Sequence, residues 1–219
     1  MNNQLLIDKT IAFVKKELEG AEGGHDWFHI QRVYTNARTI AKGEKVDSLT
    51  VALGALLHDI ADAKFHDGDE TVGPRIARDF MKSIDVDKAV ISHVIRIMEN
   101  SSFKNSLEKK GDTTFTSPEL QVVQDADRLD AIGAIGIARA FNYGGFKNRE
   151  LYNPAIVPNL NMTKEEYKKT TAPTINHFYE KLLLLKDRMN TETGKEMAEK
   201  RHRFMLDFLE QFYKEWEGR

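Results

Sequence analysis

Histidine and aspartate residues interrupt three otherwise apolar stretches of this sequence. The segment ALLHDIAD places His58, Asp59 and Asp62 among small and branched apolar residues, where unpaired polar groups are costly to bury. His29 borders the apolar stripe of a second stretch, and Asp127 lies in a third that is rich in Ala, Ile and Gly. A lone histidine in such a place is more often a hydrogen-bonded core residue. Several buried carboxylates, however, repel one another unless a cation neutralises them, so the three stretches together indicate a shared cation site.

The available donor atoms favour a transition metal. Two imidazoles and two carboxylates form a mixed nitrogen and oxygen ligand set, which suits a divalent transition metal that keeps positions open for water. The chain contains no cysteine, so thiolate ligands and disulfides are excluded. A calcium loop that starts at Asp125 is set aside, because its sixth position is not Gly and its twelfth is Gly136 rather than Glu. Manganese, iron, cobalt or nickel is therefore expected over calcium.

Helical periodicity runs through most of the chain, and no segment has a convincing strand pattern. Asp26 and Asp47 are predicted N-caps of the second and third helices. His29 then lies in the second helix and the whole ALLHDIAD octet in the third, where His58 and Asp62 share a face. The predicted fold class is therefore all-α. The predicted helices lie at about 7–18, 26–43, 47–62, 73 onward, 87–99, 117–140, 163 onward, 174–188 and 193 onward.

Proline, glycine and capping signals divide the second half of the chain. Ser117-Pro118 is predicted to open one long helix through Ala140, and residues 142–145, which include two glycines, to end it. Residues 100–116 are predicted to form a polar loop, and residues 143–162, with few periodic apolar side chains, an irregular segment. Two later helix starts fit the capping box, Thr163 with Glu166 and Thr193 with Glu196.

Composition limits the classes of function. The chain has 219 residues, enough for one domain with a sizeable core and an appended helical lobe. Its net charge of −2 argues against a strongly basic nucleic-acid surface, so a nucleic-acid polymer is not an expected partner. The N-terminal residues lack an apolar run long enough for a signal peptide or a membrane span. A cytoplasmic location with no membrane partner is therefore expected.

The order and spacing of these residues resemble a known signature. His29, then His58-Asp59, then Asp127 resembles the H…HD…D pattern of the HD-domain superfamily of metal-dependent phosphohydrolases. The blocks HDWFHIQRV, ALLHDIAD and QDADRLDAIGAIGIAR and the C-terminal tail are similar to those of small stand-alone bacterial members, so the resemblance spans residues 5–217. It implies one HD-type helical bundle over residues 1–219, with a metal core at about 20–142 and a C-terminal helical lobe at about 163–217.

The resemblance also implies a site for one divalent metal ion, with Mn²⁺ as first candidate and Co²⁺, Ni²⁺, Mg²⁺ and Fe²⁺ as alternatives. Asp62 takes the position where many hydrolytic members have an acidic residue that positions or deprotonates the attacking water. The alternative role of Asp62 is to orient His58 through its carboxylate. The implied metal ligands are His29, His58, Asp59 and Asp127. The basic residues expected to contact the substrate are Arg32, Lys64, Arg128, Lys181 and Arg201.

The sequence departs from the family at one place. Related sequences often have His-Ser-Phe after the fifth helix, whereas this chain reads NSSF at residues 100–103. HD proteins with two metals generally add further ligands, so a single metal is expected. His93 is expected to be a surface or packing residue, and Asp125 and Asp130 are expected to brace the site.

The subgroup that the chain resembles includes nucleoside triphosphate pyrophosphohydrolases. The expected reaction is therefore attack of metal-activated water on the α-phosphorus of a (deoxy)nucleoside triphosphate, which yields a monophosphate and pyrophosphate. A phosphomonoesterase or a cyclic-nucleotide phosphodiesterase on the same centre is the enzymatic alternative. Two alternatives come from other classes. A two-iron oxygenase needs ligands that the sequence lacks, and a non-catalytic nucleotide-binding regulator is expected to have lost parts of the signature. The expected partner is a small phosphorylated molecule, and a homodimer is left open.

Overall fold

The computed structural model describes residues 2–20, 26–61, 69, 71–101, 115–163, 166 and 170–219. These residues form nine α-helices and one 3-10 helix, with no strand among them, so the predicted all-α fold class is confirmed. The chain divides into two compact units, Met1–Asp127 and Arg128–Arg219, and the boundary falls inside the sixth helix. The elements are α1 Asn3–Glu17, α2 Trp27–Ala41, α3 Ser48–Leu57, α4 Val72–Ser83, α5 Lys88–Ser101, α6 Pro118–Asp130, α7 Gly133–Phe146, α8 Thr174–Glu180, a 3-10 helix Leu182–Arg188, and α9 Glu192–Trp216.

Helix α3 forms the centre of the core of the first unit. It packs against α1, α2 and α5, and all residues from 50 to 57 are buried. Its sequence, SLTVALGALL, is apolar around the whole helix, as is typical of a helix enclosed by others. Helix α2 buries one stripe only, which includes Ile30, Val33 and Ala37. The buried α3 therefore provides a fixed base on which polar residues at its end can be positioned.

The predicted N-caps of α2 and α3 are confirmed. The carboxylate of Asp26 accepts a hydrogen bond from the backbone N–H of His29 at 2.9 Å. The carboxylate of Asp47 accepts one from the N–H of Thr50 at 2.7 Å. Each bond satisfies one of the N–H groups that the first turn of a helix leaves without a partner. The start of α2, which carries His29, is therefore fixed by its own sequence.

The prediction that the ALLHDIAD octet is helical throughout is wrong at its second half. Helix α3 ends at Leu57, and His58 and Asp59 lie in the turn that follows. The cause lies partly in the histidine itself, because His58 Nδ1 is 2.9 Å from the carbonyl oxygen of Ala55, one of the carbonyls that a helix end leaves unpaired. Asp62 lies outside the described residues, so the prediction that it shares a helix face with His58 stays a prediction.

The single long helix predicted over residues 117–140 is also wrong, because the chain forms two helices there. Helix α6 ends at Asp130, and α7 begins at Gly133, whose φ of +75° belongs to the left-handed region that favours glycine. Gly136 has a second constraint, since a Cβ at that position would lie 2.2 Å from the carbonyl oxygen of Ala131. Helix α7 then continues to Phe146, past the predicted stop at residues 142–145.

The helix starts in the second unit agree only in part with the predictions. The Thr163–Glu166 capping box is confirmed, since the Thr163 N–H donates to Glu166 Oε2 at 2.7 Å and the Glu166 N–H donates to Thr163 Oγ1 at 3.2 Å. The predicted cap Thr193 is wrong. Thr191 caps α9 instead, because it has the extended backbone that an N-cap requires and its Oγ1 accepts from the Gly194 N–H at 3.0 Å.

The predicted continuous helix over residues 174–188 is interrupted at Lys181. Helix α8 ends at Glu180, Lys181 has φ −144° and ψ −57°, and the 3-10 helix begins at Leu182. The tighter 3-10 turn is common at the ends of α-helices. Lys181, one of the predicted substrate contacts, therefore lies at a junction between two helical elements.

An aromatic cluster attaches the irregular segment to α9 within the second unit. The ring of Tyr152 packs edge-on against Phe212, Tyr213 and Trp216, with centroid distances of 6.0, 5.3 and 5.1 Å. The prediction of irregular structure is confirmed from Lys147 onward, whereas residues 143–146 form the last turn of α7. No helix within the described ranges has the length and apolarity to cross a membrane.

Candidate metal centre

Three of the four predicted metal ligands form one close group in the first unit, and the fourth, Asp127, lies near the two histidines of that group. One donor atom each of His29, His58 and Asp59 lies within 4.8 Å of the other two. Asp127 Oδ1 is 3.6 Å from His29 Nε2 and 3.9 Å from His58 Nε2. Three separate elements thus bring two imidazole nitrogens and two carboxylates to one place.

Each ligand lies at or near the end of a helix. His29 occupies the first turn of α2, three residues after its Asp26 cap. His58 follows the last residue of the buried α3, and Asp59 is its neighbour. Asp127 lies in the last turn of α6. The ends of packed helices hold these side chains more rigidly than free loops do, as a site of fixed geometry requires.

A backbone contact orients the imidazole of His58. Nδ1 lies 2.9 Å from the carbonyl oxygen of Ala55, and a carbonyl can only accept, so Nδ1 carries the proton in this contact. In the tautomer that has its proton on Nδ1, the lone pair is on Nε2, the atom that faces Asp127. A bond of this kind on the second ring nitrogen is usual for histidines that bind metals. The rings of His29 and His58 lie 5.5 Å apart at 63°, so they approach the cluster from different directions.

Burial differs across the cluster. The side chains of His29 and His58 are 4% and 6% exposed, whereas that of Asp127 is 37% exposed. The nitrogen donors are therefore shielded from water, and the carboxylate side of the cluster is accessible to it. This difference in burial suits a metal that is bound by protein ligands on its buried side and has coordination positions open to solvent or substrate on its exposed side.

The atom types of the four residues, and the distances from Asp127 to the two histidines, fit a divalent transition metal. Ligand atoms bind such an ion at about 2.1 Å, so two of them lie roughly 3 Å apart at right angles and about 4 Å apart on opposite sides. The separations of 3.6 and 3.9 Å at Asp127 fall in this range. Within the part of the chain that the structure describes, no second group of three histidine or acidic donors lies this close together.

Asn36, which belongs to none of the predicted site residues, makes a buried contact close to the cluster. Its Nδ2 donates to the carbonyl oxygen of Ala126 at 3.3 Å, so the bond joins α2 to α6 next to Asp127. Asn36 is 8% exposed and stands seven residues after His29 on the same face of α2. In the sequence, Asn36 could have been recognised as a polar residue on the apolar stripe of α2, between Val33 and Ile40.

The predicted substrate contacts fall in different parts of the chain. Arg32 is half-buried on α2, one turn after His29, and Lys64 lies outside the described residues. In the second unit, the guanidinium of Arg128 donates to the carbonyl of Arg188 at 2.6 Å, and that of Arg201 donates to the carbonyl of Leu129. Burial lowers the pKa of Arg201, although nearby Asp130 opposes this. Substrate contact by these residues and by Lys181 stays a prediction.

The remaining polar residues of the predicted site have structural contacts. Asp130 is 1% exposed, and its carboxylate accepts from Arg139 at 2.6 Å within the second unit. Asp125 is completely buried in the first unit. His93 Nε2 lies 2.9 Å from Ser117 Oγ and packs edge-on against Phe115. These contacts anchor the two ends of α6.

A model of the HD-domain family matches residues 27–132, a range that contains His29, His58-Asp59 and Asp127. The YpgQ protein of Bacillus subtilis is 40% identical over 210 residues, which cover 94% of this chain and 91% of YpgQ. The chain belongs to the HD-domain superfamily. The family membership that the H…HD…D pattern indicated is thereby confirmed.

Solved structures of HD-superfamily proteins have the same fold. An HD-superfamily hydrolase from Bacillus thuringiensis superposes with a TM-score of 0.79 at 42% identity, and the match covers all of both chains. The crystal structure of B. subtilis YpgQ in complex with ADP superposes with a TM-score of 0.76 at 35% identity, over 98% of this chain and 97% of YpgQ. This HD-domain protein is a hydrolase with an all-α fold and with residues that could hold a metal ion.

Proposed function

We propose that this HD-domain hydrolase cleaves (deoxy)nucleoside triphosphates to nucleoside monophosphates and pyrophosphate. The observation that carries the proposal is that Asp59 and Asp127 each bring a carboxylate close to His29 and His58. Nitrogen and oxygen donors in this arrangement suit a divalent metal with open positions, which is the chemistry that phosphoryl transfer to water uses. The complex of the related YpgQ with ADP supports a nucleotide as the substrate class for this chain.

The four residues are proposed to hold one divalent cation, with Mn²⁺ as first candidate and Co²⁺, Ni²⁺, Mg²⁺ and Fe²⁺ as alternatives. When bound, such a cation polarises a phosphoryl oxygen and lowers the pKa of a coordinated water. Shielding of His29 and His58 from solvent keeps their nitrogens available to the ion, because water competes poorly for a buried donor. The more exposed Asp127 carboxylate marks the side from which substrate would approach.

Asp62 is proposed, on its sequence position, as the general acid–base residue that takes a proton from the attacking water. The basic residues are proposed to neutralise the triphosphate, since the sequence has no Gly-rich phosphate-binding loop to do so. Among them Arg32 lies on the same helix as the proposed ligand His29, one turn after it. The others are Lys64, Arg128, Lys181 and Arg201.

The site of bond cleavage is tested by hydrolysis in heavy-oxygen water. Attack at the α-phosphorus forms one new P–O bond there and breaks the bond to the bridging oxygen, so pyrophosphate leaves and the label enters the nucleoside monophosphate. The protein is incubated with each of a panel of nucleotides and with Mn²⁺, Mg²⁺, Co²⁺ or Ni²⁺. Chromatography and isotope-resolved mass spectrometry then identify the products. Label in the monophosphate, together with unlabelled pyrophosphate in equal amount, is the expected result.

Other outcomes identify the neighbouring reactions. Attack at the γ-phosphorus places the label in orthophosphate and leaves a nucleoside diphosphate. A phosphomonoesterase releases orthophosphate from monophosphates and leaves triphosphates intact, and a cyclic-nucleotide phosphodiesterase acts on the cyclic substrate. Protein freed of metal by a chelator is the matched control, because it differs from the active sample only in the cation. Label confined to orthophosphate contradicts the proposed reaction.

A further inference from the structure

We propose that Asn36 is a positioning residue of the metal centre, an inference that rests on the metal site of the proposed function. Its side-chain amide holds α6 against α2 so that Asp127 meets His29. The bond runs from Asn36 Nδ2 to the carbonyl oxygen of Ala126, the residue directly before Asp127. Asn36 touches no proposed ligand atom through this bond and acts through the backbone of α6.

The contact lies in the core, where a polar side chain needs a definite partner. Asn36 is 8% exposed, and Ala126 is fully buried. An amide in such a place is costly unless it is hydrogen-bonded, so the bond favours one relative placement of the two helices. A carbonyl oxygen has two lone pairs. The carbonyl of Ala126 can therefore accept a hydrogen bond from Asn36 and keep its hydrogen bond within the helix.

Two contacts between α2 and α6 define the placement of Asp127. His29 and Asn36 stand seven residues apart on α2, which is two turns or about 10 Å along the helix. His29 faces Asp127 at one point, and Asn36 holds Ala126 at the other. The two contacts lie about 10 Å apart on α2 and at adjacent residues on α6, so together they restrain the rotation of α6 against α2 more than either contact does alone.

A small rotation of α6 would disturb the metal site. A carboxylate oxygen lies roughly 5 Å from the axis of its helix, so a rotation of about 10° moves it by about 1 Å. Metal–ligand distances are held to about 0.2 Å. The position of Asp127 is therefore more sensitive to the orientation of α6 than the packing of apolar side chains is. A hydrogen bond one residue away restrains that orientation directly.

Other bonds attach α6 to the end of α5 and to the N-cap of α3, at residues that are not proposed ligands. Gln124 Nε2 donates to the carbonyl of Asn100 at the end of α5, at 2.9 Å. Glu119 Oε1 accepts from the backbone N–H of Asp47 at 2.9 Å. Gln124 therefore provides a matched control, since it makes the same kind of bond from the same helix as Asp127 but to a helix outside the metal site.

The test compares Asn36→Leu with Gln124→Met in full-length protein freed of metal. Both substitutions keep approximate side-chain size and remove one amide donor. Calorimetric titration with Mn²⁺ gives the affinity, the visible absorption of Co²⁺ reports ligand geometry, and thermal unfolding of the metal-free protein reports stability. We expect Asn36→Leu to bind Mn²⁺ about tenfold or more weakly with an altered Co²⁺ spectrum, and Gln124→Met to stay within about twofold of wild type.

Wild-type affinity and spectrum in Asn36→Leu overturn the proposal, and so does an equal loss in both variants, because the effect would then be general loosening of α6. If Asn36→Leu does not fold, Asn36→Ser is measured in the same way, since its hydroxyl is too short to reach Ala126. Asp127→Ala separates this inference from the proposed function. If Asp127→Ala binds Mn²⁺ as wild type does, the metal site itself is wrong. If it loses binding while Asn36→Leu does not, only the role of Asn36 is wrong.

Discussion

At the scale of single residues, His58 illustrates how a backbone carbonyl prepares a side chain for metal binding. The carbonyl oxygen of Ala55 accepts a hydrogen bond from His58 Nδ1–H. This bond orients the imidazole ring and also gives a partner to a carbonyl at the end of α3. The placement of histidine and aspartate among apolar residues indicated a shared cation site, and the resemblance to the HD family identified the four proposed ligands. The partner of Asn36 was not predictable in this way, because Ala126 comes from a different helix 90 residues away.

His177 in the second unit links a single side chain to stability. Burial, with smaller contributions from Lys181 and Arg149, lowers the pKa of His177 from 6.5 to about 3. The folded protein therefore keeps the ring neutral, whereas the unfolded chain binds a proton below about pH 6.5. Because the unfolded state binds more protons, the free energy of unfolding falls as the pH drops from about 6.5 towards 3.

Replacement of His177 by Gln is expected to remove this part of the pH dependence. Each unit by which the pH falls below the unfolded-state pKa of 6.5 lowers the free energy of unfolding by up to about 1.36 kcal/mol. Because of His177, wild-type protein should therefore have a free energy of unfolding about 2 kcal/mol lower at pH 5 than at pH 7.5. His177→Gln should lose about that much less than wild type between pH 7.5 and pH 5. Urea unfolding of both proteins at the two pH values measures the difference. Equal pH dependence in the two proteins would show that His177 is not held neutral.

At the scale of elements, the N-caps of α2 and α3 were predictable because they depend on residues three positions apart. Asp26 with His29 and Asp47 with Thr50 are local patterns. The break between α6 and α7 was not predicted, since the sequence AIGAIG has helical spacing of its apolar residues on both sides. The break depends on close contacts, including Gly133 against the side chain of Arg201, which lies in a helix far along the chain.

The two glycines Gly136 and Gly145 of α7 provide a matched pair of substitutions. A Cβ at Gly136 would lie 2.2 Å from the carbonyl oxygen of Ala131, whereas a Cβ at Gly145 has nothing within 4 Å. Gly136→Ala should therefore destabilise the protein by about 1–3 kcal/mol or more. Gly145→Ala should be neutral or stabilise by up to about 1 kcal/mol, because Ala is the better helix former.

Chemical unfolding of the two alanine variants beside wild type measures both effects, and helical content by circular dichroism confirms that each variant folds. Equal stability of Gly136→Ala and Gly145→Ala would mean that the close approach between Gly136 and Ala131 does not constrain the chain. A destabilised Gly145→Ala would mean that the surface at the end of α7 is not as open as the structure describes.

At the scale of the whole molecule, the all-α class followed from helical periodicity, which is a local property summed along the chain. The division into Met1–Asp127 and Arg128–Arg219 did not, because it depends on which helices pack together. The proposed metal ligands all belong to the first unit, while Arg128, Lys181 and Arg201 belong to the second. That the chain works as a single domain stays a prediction, and so do the substrate contacts assigned to those three residues.

A joint titration of metal content and turnover tests most directly whether the four residues hold the cation that hydrolysis requires. Wild type, Asp59→Ala and Asp62→Asn are stripped of metal, titrated with Mn²⁺ and assayed on the preferred nucleotide. Wild type should bind about one ion per chain and hydrolyse only when loaded. Asp59→Ala should lose both binding and activity at unchanged helical content, and Asp62→Asn should keep the metal but turn over about 100-fold more slowly. Wild-type metal content in Asp59→Ala, or full turnover in metal-free protein, would contradict the proposed centre.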